Sequence, residues 1–105
     1  MDKYSLIGNK ATEIEAELKR INRWSATELP PEKFENMGAF GSNTMTFEQW
    51  IQFILLQRIH QVIEAKGQFP SQSQVGTYAL RNLDGDPDAD NLVRLLNELD
   101  DLIVH

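Results

Sequence analysis

The stretch TMTFEQWIQFILLQRIHQVIEAKG, residues 44–67, carries three large aromatics, a long apolar run and then Arg58. Counting about 100° per residue from Phe47 on an ideal helix, Trp50, Ile51, Ile54, Leu55 and Val62 crowd between about 300° and 80°, and Arg58 falls at about 20°, among them. A guanidinium placed there must be paired with a carboxylate or loop carbonyls, or its stem must run along apolar surface to water. The structural reading, an arginine tying this helix to a partner group, is preferred over a ligand-binding one. The run Asp84-Gly85-Asp86-Pro87-Asp88-Ala89-Asp90 resembles a calcium loop. Started at Asp84, however, it puts Ala89 and Leu95 where the loop needs a turning Gly and a bidentate Glu; started at Asp86, those places fall to Asn91 and Asn97. An acidic first turn that complements a helix dipole accounts for the cluster.

Other reaction chemistry finds few residues to use. The chain has no cysteine, which excludes disulfides, a thiolate nucleophile and sulfur-ligated zinc. His60 and His105 are the only histidines. No Gly-rich phosphate cradle and no paired-carboxylate signature stand in for a triad or a metal cluster. The expectation is a protein that is not an enzyme, with no cofactor and no metal.

The elements that must position these residues follow from periodicity. Tyr4, Ile7, Ala11, Ile14, Leu18 and Ile21 form one seam of a helix over residues 2–24, with Glu15 and Lys19 paired on its solvated face. Periodicity stops over residues 25–45, where Pro30, Pro31, Gly38 and Gly41 interrupt the chain. A connection of this length that holds Leu29, Phe34, Met37, Phe40 and Met45 is too apolar for a solvated linker, so it folds back over the domain. The second helix starts at Thr46 or Thr44, Thr46 and Gln49 matching a capping box, and stops at Gly67 and Pro70. In this helix Leu56, Ile59 and Ile63 widen the apolar stripe towards about 180°. A third helix runs from Ser71 or Ser73 to Leu83, with Ser71 and Gln74 as another capping box. A fourth begins after Asp86, a potential cap, and Pro87, with Leu92, Leu95, Leu96, Leu99, Leu102 and Ile103 as its seam. The expected fold is all-α: a single four-helix bundle domain over residues 1–105 with a long ordered loop between helices one and two.

Composition sets the partners. The chain of 105 residues is long enough for a real core. No segment reaches the roughly 20 apolar residues that cross a bilayer, and the start lacks a signal-peptide pattern, so a cytoplasmic protein with no membrane partner is expected. Net charge is −6; residues 67–105 hold two Lys/Arg against seven Asp/Glu. Such a balance repels phosphates, so direct nucleic-acid binding is not expected and a basic protein partner is the easier electrostatic match.

The run Ala39-Phe40, Thr44-Met45, Trp50-Ile51-Gln52-Phe53, Arg58-Ile59, Phe69-Pro70, Val75 and Tyr78-Ala79 resembles the YqcC-like family, small bacterial all-helical proteins of unknown biochemical function. The chain departs from that pattern at Ala39, Asn43, Gln57 and Thr77. The resemblance implies a four-helix bundle in a cytoplasmic setting with no established activity. Its gene association with a tRNA pseudouridine synthase suggests an accessory protein for such an enzyme. The expected binding surface joins the loop to residues 44–58 through Phe40, Thr44, Met45, Trp50, Gln52, Arg58 and Tyr78. The alternative is a small-molecule or RNA-modification pocket where Arg58, Gln52 and Tyr78 converge. A third reading has the seams of helices one and four build a homodimer.

Overall fold

The computed structural model describes residues 2–105. Asp2 caps the first helix, α1 (Lys3–Arg20), by accepting the Ser5 N–H. The helix ends earlier than its seam suggests, because Asn22 turns left-handed and the Arg23 N–H returns to the Leu18 carbonyl at 2.8 Å. Glu15 and Lys19 meet at 2.8 Å as expected.

The second helix, α2, covers residues 47–65 in three parts: α-helical over Phe47–Trp50, widened to a π-turn over Ile51–Leu55, and α-helical again over Leu56–Ala65. Thr46 and Gln49 form the reciprocal capping box at its start. Lys66 turns left-handed at its end, where Gly67 N–H returns to Val62. The π-turn closes an i to i+5 bond from Leu56 N–H to the Ile51 carbonyl. One extra residue in a turn sets everything after it back by about 100°. Leu56, Ile59 and Ile63 thereby move from about 180°, 120° and 160° to about 80°, 20° and 60°, onto the face of Trp50 and Ile51. Leu56 and Ile59 are accordingly buried. The same rotation carries Arg58 from about 20° to about 280°, past the Trp50 edge of that face.

Helix α3 (Val75–Asn82) begins later than expected, and its cap is not local. The expected Ser71–Gln74 box is replaced by Asp100, a buried side chain from the far end of the chain that accepts from Ser73 Oγ, Val75 N–H and Gly76 N–H. Gly76 lets the two backbones approach: a Cβ there would sit 2.8 Å from the Asn97 Cα. A short 3₁₀ turn, Pro87–Ala89, leads into α4 (Asp90–Val104). Asp86 caps nothing with its side chain, which is drawn instead to Arg23 at 2.6 Å.

The four helices form an all-α bundle, with no strand among the described residues. Ile7, Ala11, Ile14 and Leu18 of α1 and Leu92, Leu95, Leu96, Leu99 and Ile103 of α4 are buried in one core with α2 and α3. The two seams named for a homodimer therefore close on each other within the chain.

The connection over residues 21–46 is pinned at several points. Ser25 exchanges both backbone groups with the Gln52 side chain, at 2.8 and 3.0 Å. Asn43 N–H bonds the Met37 carbonyl at 2.9 Å, and Arg23 bridges Glu48 and Asp86. Gly41, at φ 70°, supplies the tightest bend, where a Cβ would lie 2.6 Å from Met45 Cγ.

Candidate functional site

The candidate residues divide into three groups. Phe40, Met45, Trp50 and Tyr78 meet with Phe47 in one aromatic cluster beneath the loop. Phe40 stacks on Tyr78 with ring centroids 4.2 Å apart and meets Trp50 edge-on at 5.1 Å. Thr44 and Gln52 are anchors: Thr44 Oγ1 donates to the Lys33 carbonyl at 2.5 Å, and Gln52 holds Ser25. Arg58 stands apart from both groups. The pocket expected from a convergence of Arg58, Gln52 and Tyr78 is therefore not assembled, since the amide is spent on Ser25 and the tyrosine ring on Phe40. The loop is also closed, because the exposed large apolar side chains among the described residues are Leu6, Leu80 and Val104, none of them on the loop.

The helix-two half of the expected surface opens on its other side. A groove of about 420 Å³ runs between α2 and the segment joining α2 to α3. Trp50, Leu55, Ile59, Val75 and Ile103 reach its floor, Val62, Phe69 and Pro70 its walls, and Arg58, Gln61, Gln72 and Gln74 its rim. Phe69 is held by Tyr4, whose ring lies 6.0 Å away and whose hydroxyl bonds the Gly67 carbonyl. No carboxylate lines the groove.

Arg58 is exposed on this rim and forms no ion pair among the described residues. The preferred sequence reading, an arginine tying the helix to a partner group, is corrected: the side chain runs along apolar surface to water, because the π-turn rotates it out of the core sector. An Arg58→Ala variant should accordingly keep its unfolding free energy within about 0.5 kcal/mol of the wild type in urea denaturation. A loss of several kcal/mol would restore the structural reading.

A second, polar cleft of about 500 Å³ lies beside Tyr78, but its guanidinium is already occupied. Arg23 is held there by Asp86 at 2.6 Å and Glu48 at 3.3 Å, and the hydrogen bond to Asp86 raises its pKa further above the usual arginine value. Among the described residues no three His, Asp or Glu side chains gather to hold a metal, so the Asp84–Asp90 run stays dispersed. Sequence reasoning placed Val62 on the apolar stripe of the second helix but did not find the groove wall. The available signal was the apolar pair Phe69-Pro70 inside a connector otherwise made of Gly, Ser and Gln.

Comparison with known proteins places this geometry. The uncharacterised protein YqcC of Escherichia coli (strain K12) is 29% identical over 65 residues, which span 62% of this chain and 60% of that relative's length. The solution NMR structure of YqcC from E. coli superposes with a TM-score of 0.88 at 26% identity, covering 99% of this chain and 90% of that one. The fold is thus the YqcC fold, and the activity of these relatives is not established. The family model DUF446, described as tRNA pseudouridine synthase C, matches residues 7–102, nearly the whole bundle, and the chain belongs to this YqcC-like family.

Proposed function

We propose that the chain is a non-enzymatic, cytoplasmic protein-binding module that docks through the α2 groove onto a tRNA pseudouridine synthase. The observation that carries this reading is an apolar groove open to solvent with an unpaired arginine on its rim, in a molecule whose other large apolar groups are almost all covered. The family description carries the name of a tRNA pseudouridine synthase, and the class of partner proposed is taken from that name. A net charge of −6 supports contact with the enzyme rather than with its RNA. A single ionisable side chain on the groove supports binding over catalysis, which needs acid, base or nucleophile in mutual reach. The groove's volume also suits a small molecule, which is the second reading.

Calorimetric titration of the full chain with the purified tRNA pseudouridine synthase of the same organism tests the proposal. The wild type should bind, and Val62→Asp and Arg58→Glu, each checked for folding by circular dichroism, should weaken binding at least about tenfold, the first by setting an unpaired carboxylate on the apolar wall and the second by reversing the rim charge. Absence of binding by the wild type, or full binding by both folded variants, would overturn it.

A further inference from the structure

The docking reading leaves open what the groove receives, and charge placement answers this. Residues 49–83 contain three cations, Arg58, Lys66 and Arg81, and one carboxylate, Glu64, within a chain of net charge −6. Both sides of the groove come from this acid-poor stretch, apart from Ile103. The cationic end of Arg58 therefore stands beside an apolar floor that no carboxylate lines, and Asp100, behind Ser73 and Val75, is already engaged by them and by Gly76.

We infer that the groove receives a partner segment carrying a large apolar side chain with an Asp or Glu beside it, the apolar group lying against Trp50, Ile59 and Phe69 and the carboxylate meeting Arg58. The inference rests on the docking reading and names the occupant of the same site. The planar guanidinium presents a fork of donors matched to a carboxylate, which a neutral amide cannot replace. The side-chain amides of Gln61, Gln72 and Gln74 around the rim both donate and accept, as a partner's main chain requires. The acidic Asp84–Asp90 run does not line the groove.

Two capped peptides test this, Ac-Asp-Leu-Phe-NH₂ and Ac-Asn-Leu-Phe-NH₂, each titrated into ¹⁵N-labelled full chain at low salt. The readouts are the Trp50 indole N–H and the Arg58 Nε–H, with sodium octanoate as a third probe. Because Arg58 is solvent-exposed, the acidic peptide should bind only about three- to fivefold more tightly than its twin. That preference should vanish in Arg58→Gln and in 0.5 M salt, while the Asn peptide binds wild type and variant alike. Equal affinities in the wild type, shifts confined outside the groove, or tighter binding of octanoate than of either peptide would overturn the inference. The last outcome would assign the groove to a free amphiphilic acid. An acid preference without synthase binding upholds the occupant and removes the proposed partner; synthase binding without an acid preference does the reverse.

Discussion

Asp100→Ala should lower the unfolding free energy by about 3 kcal/mol, since it strips two backbone N–H groups and a hydroxyl of their only acceptor. The carboxylate is buried and accepts from Val75 N–H at 3.2 Å, Gly76 N–H at 2.7 Å and Ser73 Oγ at 2.5 Å. These bonds close the buried start of α3 and couple it to α4, which contributes a negative charge to a helix N-terminus. Asp100→Asn keeps one acceptor and should cost about half as much. Urea denaturation followed by circular dichroism measures both. A loss below about 1 kcal/mol for the alanine variant would mean that α3 is capped by water instead.

Gln52→Ala has the next largest expected cost, about 2 to 3 kcal/mol. The Gln52 amide is buried and exchanges two hydrogen bonds with the backbone of Ser25, so its loss frees the start of the loop and leaves two half-buried groups unpaired. Gln52→Glu is the sharper variant at pH 7. It retains an acceptor for the Ser25 N–H but turns a second oxygen towards the Ser25 carbonyl, so its stability should fall close to that of the alanine variant. Near wild-type stability for Gln52→Glu would contradict the paired arrangement. Arg58→Ala, expected to be almost neutral, gives the contrast: two neighbours on one helix, one an anchor and one a free rim residue.

These residues also mark where the sequence was legible. The α1 and α4 seams and the Thr46 capping box were readable from spacing, and the inward-folding loop from its length and apolar content. The π-turn was not, because an ideal wheel assumes one rotation per residue throughout. Its trace was present as a contradiction: an apolar stripe spread over half the helix with an arginine in the middle. Removing one residue's rotation after Ile51 resolves both anomalies together. The Asp100 cap was hidden for another reason, since an acceptor 24 residues beyond Gly76 leaves no local signature. Of the candidate residues, Trp50 and Arg58 line the groove, while Gln52 and Thr44 proved to be internal ties. An apolar residue in a connector reads equally as core or as surface, which is why Phe69, named only for the family pattern, was not assigned to a site.

The central claim is that the α2 groove is the surface through which this chain meets its partner. Its most direct test is a backbone amide NMR footprint of the labelled chain with the purified tRNA pseudouridine synthase. Our account predicts loss or shift of signals at Trp50, Arg58, Gln61 and residues 69–75, with α1 and the Asp84–Asp90 turn unchanged. Perturbation centred on the acidic turn and the exposed face of α4, with the groove silent, would contradict it.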